Sequence, residues 1–100
     1  MKLYKLEGHK PVQVEDLLEW AKWFESAERH VAVEKLGAVR ISTTFLGIDH
    51  NFTGEGNPIL FETMIFGGKY DQYTERYYSW EEAEEGHKAA VLMVKGVMDI

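Results

Sequence analysis

The spacing of apolar residues changes several times along the chain, and each change indicates a new structural element. Residues 2–7 (KLYKLE) mix polar and apolar positions with strand-like alternation, which predicts a short strand followed by a turn over 8–11. From 15 to 29 the apolar residues recur at steps of three and four, which predicts an amphipathic helix. The apolar stripe of this helix consists of Leu17, Trp20, Ala21, Phe24 and Ala27, with Leu18 and Trp23 at its edges.

The middle of the chain has strand character. β-branched residues dominate 31–48, and a glycine interrupts them, which predicts a hairpin. Residues 59–66 (ILFETMIF) are apolar at successive positions except at Glu62, which predicts a central strand covered on each side. Turn-forming residues fill 49–58 (DHNFTGEGNP), so we expect the longest loop of the chain there.

A last strand and a second helix are predicted after this loop and strand. Residues 73–79 (YTERYYS) have strand character, and Ser79 and Glu82 stand at the spacing of a capping box. The helix is expected from Trp80 to about Met98. Its apolar stripe consists of Trp80, Ala83, His87, Ala90, Val91, Val94, Val97 and Met98.

These elements together predict one α+β domain over residues 1–100. Short turns join consecutive strands, which favours an antiparallel meander. We therefore expect an antiparallel sheet of four to five strands, in the order β-α-β-β-β-β-α, packed with two amphipathic helices.

Composition narrows the classes of function. The chain has no cysteine, which excludes disulfides, thiol nucleophiles and thiolate metal sites. Its net charge of −6 argues against binding to duplex nucleic acid, since such binding needs clustered lysine and arginine. No apolar run is long enough to cross a bilayer or to act as a signal peptide, so we expect a cytoplasmic protein without a membrane partner.

Most of the chain resembles a family of small uncharacterised proteins encoded by bacteriophages and prophages. The segments that carry the resemblance are DLLEWAKWFE at 16–25, ISTTFLGIDHNF at 41–52, NPILFETMIFGG at 57–68 and RYYSWEEAEEGHK at 76–88. The resemblance implies a phage origin and the cytoplasm of a bacterial host. It carries no catalytic residue, but small phage accessory proteins often bind and disable host factors, including immune proteins and their nucleotide signals.

The long loop and one carboxylate are the main candidates for a binding site. Asp49, His50, Asn51 and Phe52 follow a predicted strand and offer polar and aromatic groups to a ligand. The alternative is an Asx turn, in which an acidic or amide side chain caps backbone amides. Tyr70 and Tyr78 extend the candidate ligand-binding surface along the sheet edge.

Glu62 stands among apolar residues, where an unpaired carboxylate is costly to bury. An internal bond to Arg76 or to a neighbouring tyrosine would satisfy it. If the sheet is open at this point, Glu62 and His50 would instead line a polar pocket in which they act as acid and base.

The remaining histidines give little indication of a metal site, and we expect neither a metal nor a cofactor. Glu84 and His87 have E-x-x-H spacing, but His87 also lies on the apolar stripe, which favours a buried, hydrogen-bonded histidine. His9 and His30 lack partners at ligand spacing. The acidic residues at the start of the second helix complement its dipole and are expected to be solvated: Glu81, Glu82, Glu84 and Glu85.

Three hypotheses of function follow from these residues. The first is a non-enzymatic phage-type accessory protein, such as a counter-defence protein, that binds a host protein or a small nucleotide-like ligand. The second is a small acid/base or metal-assisted hydrolase that uses His50, Glu62 and Asp49. The third is a structural subunit that self-assembles, or a homodimer, through exposed apolar residues such as Trp23 and Leu92.

Overall fold

Six strands and two helices form residues 1–98, the part of the chain that the computed structural model describes. The order is β1-β2-α1-β3-β4-β5-β6-α2, which confirms the predicted α+β class. The elements span Leu3–Glu7 (β1), Lys10–Val14 (β2), Leu17–Ser26 (α1), His30–Leu36 (β3), Val39–Phe45 (β4), Phe61–Phe66 (β5), Thr74–Tyr77 (β6) and Trp80–Met98 (α2).

The strands form two antiparallel sheets rather than one. β3, β4, β5 and β6 pair in sequence order, so the predicted four-stranded meander is confirmed. β1 instead pairs with β2, a strand that the sequence pattern did not predict because Pro11 suggested a turn. Pro11 lies opposite Leu6 in this ribbon. A two-stranded ribbon consists only of edges, so a proline without an N–H group is tolerated there.

The first helix is shorter than predicted and turns a different face inward. Asp16 caps α1, because its carboxylate accepts hydrogen bonds from the backbone N–H groups of Leu18 (2.9 Å) and Glu19 (3.2 Å). Leu17, which was expected on the buried stripe, is 61% exposed, and Ala21 is also exposed. The partly buried side is formed instead by Trp20, Trp23, Phe24 and Ala27.

Contacts of two tryptophan side chains explain why α1 turns this face inward. The Trp20 indole N–H donates to the backbone oxygen of Tyr4 (2.9 Å), which holds the helix against β1. The Trp23 ring meets the Phe45 ring edge-on, with centroids 5.9 Å apart. The Trp23 indole is partly buried and packs on the core of its own chain, which leaves little of its surface for the predicted interface.

The second helix runs along one face of the four-stranded sheet, as its capping box predicted. The Ser79 hydroxyl accepts from the Glu82 N–H and donates to the Glu82 carboxylate, both at 3.1 Å. The predicted stripe is buried against the sheet at Ala83, His87, Ala90, Val91 and Val94. The side chain of Met98, also expected on the stripe, lies outside the described residues.

Among the described residues, no helix lies on the opposite face of this sheet. Burial alternates along β5, so Phe61, Thr63 and Ile65 are buried under α2 while Met64 and Phe66 remain partly exposed. The shortest dimension of the molecule, 20 Å, is that of one helix layer on one sheet. The prediction that this strand is covered on each side is therefore wrong, although β5 is central in the sheet.

Candidate functional site

The loop at 49–58 is closed by the side chain of its first residue. One carboxylate oxygen of Asp49 accepts hydrogen bonds from the N–H of Asn51 (2.7 Å) and from the N–H of Ile59 (2.9 Å). The first bond forms the predicted Asx turn, and the second ties the two ends of the loop together. Asp49 therefore has a structural role in the loop.

Asn51 holds the middle of the loop in place. Its amide nitrogen donates to the backbone oxygens of Glu55 (2.7 Å) and Asn57 (2.8 Å). Its amide oxygen accepts from the Thr53 N–H (3.2 Å) and from the Thr53 hydroxyl (2.6 Å). With its side chain used in this way, Asn51 shapes the loop and makes a rigid support for the exposed residues beside it.

His50 is oriented by a bond to the main chain. Its Nδ1 lies 2.7 Å from the backbone oxygen of Ile48, and a carbonyl oxygen only accepts, so Nδ1 carries the proton. In the neutral form of the ring, Nε2 is then the acceptor. The ring is tilted against Phe52 at a centroid distance of 5.8 Å, and the backbone N–H of His50 donates to the oxygen of Ile59 (2.9 Å).

An open cleft of about 530 Å³ lies between this loop and the start of the chain. The Asp49 N–H donates to the backbone oxygen of Lys2 (3.0 Å), which holds the first residues against the loop. Phe52, at 82% exposure, and the exposed Met1 stand at the cleft with their apolar surfaces in solvent. The cleft is lined by Met1, Lys2, Ile48, Asp49, Asn51, Phe52, Gly54, Glu55 and Gly56.

The second candidate, Glu62, is paired within the sheet. Its carboxylate accepts from the Nε of Arg76 at 2.9 Å, across directly paired positions of β5 and β6. This is the internal salt bridge that the sequence offered as one alternative. His50 bonds to Ile48 and Glu62 to Arg76, and within residues 1–98 no hydrogen bond joins the two. The catalytic combination of His50 with Glu62 and Asp49 is therefore not assembled.

The predicted ligand-binding residues thus fall into separate places. Asp49, His50, Asn51 and Phe52 stay together at the loop, whereas the Glu62–Arg76 pair lies on the uncovered sheet face. Tyr70 lines a small cavity of about 80 Å³ between the sheet and the end of α2, and Tyr78 follows β6 with its side chain exposed. Sequence reasoning missed three residues at the cleft. Ile48 directly precedes the loop, whereas only long-range contacts bring Met1 and Lys2 to it.

A row of polar side chains crosses the buried side of the sheet under α2. The His87 Nδ1 lies 2.7 Å from the Thr43 hydroxyl, which lies 2.5 Å from the Thr63 hydroxyl. The Tyr77 hydroxyl donates to Thr63 at 3.1 Å, and burial raises the pKa of Tyr77, so this hydroxyl keeps its proton at neutral pH. The prediction that His87 is buried and hydrogen-bonded is confirmed.

We expect His87 to make the stability of the chain depend on pH. The residue is 5% exposed, and burial lowers its pKa below the ordinary value of 6.5, while the negative charge of Glu34 acts in the opposite direction. The unfolded chain therefore binds this proton more readily than the folded chain. The stabilisation is complete above about pH 6.5 and is lost as the pH falls below that value and through the lowered pKa of the folded state, by at most about 1.4 kcal/mol per pH unit.

Urea unfolding at about pH 7.5 and about pH 5.5 measures this effect. The H87Q variant keeps a polar side chain but cannot titrate, so its free energy of unfolding should change less between the two conditions than that of the original chain. The other histidines are unchanged and contribute equally to both proteins. An identical pH dependence for the two proteins would show that His87 is not the titrating group.

The E-x-x-H pair does not form a metal site. His87 lies under α2, whereas Glu84 is exposed on the helix surface, so the two side chains do not converge. Within residues 1–98, no cluster of three or more acidic or histidine side chains is placed to hold a metal ion. His30 instead bonds to the carboxylate of Glu28 at 2.9 Å, and the His9 ring stacks on Trp80 with centroids 3.8 Å apart.

Comparisons with known proteins found no match to a family model, a curated protein or a solved structure. Neither of the described helices combines the length and apolar character that crossing a membrane requires. The cleft and the uncovered sheet face are therefore interpreted from their own residues.

Proposed function

We propose that the chain is a non-enzymatic binding protein whose binding surface is the cleft beside the 49–58 loop. The supporting observation is that a loop stiffened by Asp49 and Asn51 holds Phe52 almost fully exposed at the cleft. Rigid, exposed aromatic side chains are common anchors of protein interfaces. Together with the resemblance to phage-encoded proteins, this favours an accessory protein that disables a host factor in the bacterial cytoplasm.

The charges at the cleft favour a host protein over a nucleotide as the ligand. Lys2 is the one lysine or arginine side chain among the residues that line the cleft, while Asp49 and Glu55 contribute carboxylates. A phosphate group would find no excess of positive charge there, so electrostatic attraction would contribute little to its binding. An apolar side chain of a protein would cover Met1 and Phe52 without such a penalty.

The hydrolase hypothesis receives less support from the same geometry. General acid–base catalysis needs the two groups within hydrogen-bonding reach of one substrate. Here the Glu62 carboxylate is bound to Arg76, and the Asp49 carboxylate accepts two backbone N–H groups.

Self-assembly is the other rival to the proposed binding function, and the exposed side chain of Leu92 is the observation that still supports it. This side chain is 68% exposed on the outer surface of α2, and the neighbouring Ala89 is exposed as well. Single exposed apolar residues are normal on protein surfaces. Light scattering over a range of concentrations would reveal an assembly, and its loss in L92A would favour this rival over the proposal.

The proposal predicts that Phe52 decides the binding of a host protein. The immobilised chain and its F52A variant are compared for capture of proteins from a bacterial lysate, followed by affinity measurement with the purified partner. F52A should bind at least about tenfold more weakly, because truncation of an aromatic anchor typically costs ~2 kcal/mol or more.

The matched control is L18A, which truncates an exposed apolar residue on α1 outside the cleft. It should bind as the original chain does. Equal loss in both variants, or no loss in F52A, would contradict the proposed surface. Calorimetric titration with nucleotides tests the alternative ligand. Tight nucleotide binding would mean that the ligand of the cleft is a nucleotide rather than a host protein.

A further inference from the structure

The uncovered face of the four-stranded sheet is a second surface with a defined chemistry. The register places Val33, Ser42, Met64 and Thr74 side by side across its four strands. Val33 and Thr74 are exposed and Met64 is partly exposed, whereas Ser42 is buried, so this middle row offers apolar surface beside the hydroxyl group of Thr74. Methionine adapts its shape to different partners, which suits a binding surface.

Positive charge flanks this middle row at both ends. Lys35 and Arg40 are paired positions at one end, and Arg76 lies at the other end beside Glu62. The face therefore carries three cationic side chains and one carboxylate, in a chain whose net charge is −6. A cationic surface on an acidic protein selects an anionic partner and repels a second copy of the same face.

The size of the face limits what can bind there. Four strands at a spacing of ~4.8 Å and about five residues at ~3.4 Å each give roughly 300 Å². A stable protein interface buries about 800 Å² on each partner, so the face by itself is too small for a dimer. It does match the length of an extended segment of about five residues.

Protein fits this surface better than single-stranded nucleic acid. Bases bind to sheets chiefly by stacking on aromatic rings. Phe66 is the aromatic residue of the register rows on this face, and the Arg40 guanidinium already lies over its ring at 4.7 Å. A carboxylate could instead take both donors of the Arg40 fork while an apolar side chain covers Val33 and Met64.

We propose that this open sheet face binds an extended acidic segment of a partner protein that also carries apolar side chains. Carboxylates would lie at Lys35 and Arg40, and the apolar side chains would cover the middle row. This surface lies apart from the loop cleft. The inference rests on the proposed function only in that both take the chain to be a binding protein.

The test uses short fluorescent peptides in which every second residue is glutamate or leucine in turn, with threonine between them, so that both kinds of side chain face the sheet when the peptide is extended. Matched peptides carry lysine in place of glutamate. The glutamate peptide should bind, and in spectra of the labelled protein it should shift the amide signals of β3 to β6 rather than those of 49–58. Binding should weaken as the ionic strength rises from ~0.01 to ~0.15 M, where the Debye length falls from ~30 to ~8 Å. The lysine peptide should not compete.

Charge reversal provides the matched comparison. The K35E/R40E variant should bind the glutamate peptide at least about tenfold more weakly, since two attractive charge pairs become repulsive. The K10E/K95E variant makes the same change in net charge at exposed positions outside the face and should bind within about twofold of the original chain. The K35Q/R40Q variant removes the two positive charges without adding negative ones, so its loss of peptide affinity should lie between those of the other two variants. Such a graded loss would distinguish an effect of charge from unfolding of the K35E/R40E variant.

Several results would overturn the inference. Equal binding of the two peptides, amide shifts confined to the loop, or equal losses in the two charge-reversal variants would each contradict it. Tighter binding of a short single-stranded RNA than of the glutamate peptide would assign the face to nucleic acid. F52A should leave peptide binding unchanged, so failure of the loop proposal and failure of this one are distinguishable.

Discussion

Replacing Gly86 with alanine is expected to destabilise the chain, although alanine is the better helix former by about 1 kcal/mol. A Cβ atom at this position in α2 would overlap the hydroxyl end of the Tyr77 ring. The ring cannot simply swing away, because its hydroxyl donates to Thr63 in the buried polar row. We expect a net loss of about 1–3 kcal/mol, as overpacking outweighs the gain in helix propensity.

Gly96 supplies the control for this experiment. It lies in the same helix, and a Cβ atom there would meet no atom of the described residues within 4 Å, apart from its chain neighbours and its own helix backbone. G96A should therefore be neutral or more stable than the original chain, with a gain of up to about 1 kcal/mol from helix propensity. Thermal or urea unfolding of the two variants should move in opposite directions. A stabilised G86A would mean that Tyr77 does not pack closely on α2.

Truncation of Phe45 to alanine should have the largest effect on stability. The side chain is 0% exposed and makes edge contacts with two other rings, Trp23 at 5.9 Å and Phe61 at 5.3 Å between centroids. It therefore joins α1 to the sheet as well as filling the core. Loss of a buried phenylalanine typically costs about 3–5 kcal/mol, because a cavity remains where the ring was.

The midpoint of urea unfolding measures this loss, and a second phenylalanine provides the control. F52A makes the same chemical change at an exposed position, so its free energy of unfolding should change by no more than about 0.5 kcal/mol. F45L keeps most of the apolar volume and should lie between the two. If F45A and F52A were equally stable, Phe45 would not be part of a packed core.

Local patterns were sufficient to predict α2 and the four-stranded meander. The capping box of Ser79 and Glu82 involves residues three positions apart, so it is visible without any tertiary information. The stripe of α2 was also predicted correctly, because a helix on a broad sheet buries one continuous face. The position of the long loop followed from its turn-forming residues, and so did the Asx turn at Asp49.

Long-range contacts decided the remaining features. Pro11 belongs to a strand because a two-stranded ribbon tolerates a missing N–H group, which no local pattern reveals. α1 turned Trp23 inward and Leu17 outward because it packs on a hairpin and on Phe45 rather than across the main sheet. Since apolar periodicity reports only that a face is buried somewhere, it does not specify the partner of that face.

At the candidate surfaces, too, local sequence patterns predicted some features and long-range contacts decided others. Composition and turn chemistry placed His50 and Phe52 in an exposed loop, but Met1 joins them only because Lys2 is hydrogen-bonded to the loop from the far end of the chain. Glu62 stood out in the sequence as a carboxylate among apolar residues, and its pairing with Arg76 followed from the register of β5 and β6. Residue types and their spacing can be seen in the sequence, whereas the approach of distant residues depends on how all the elements pack together.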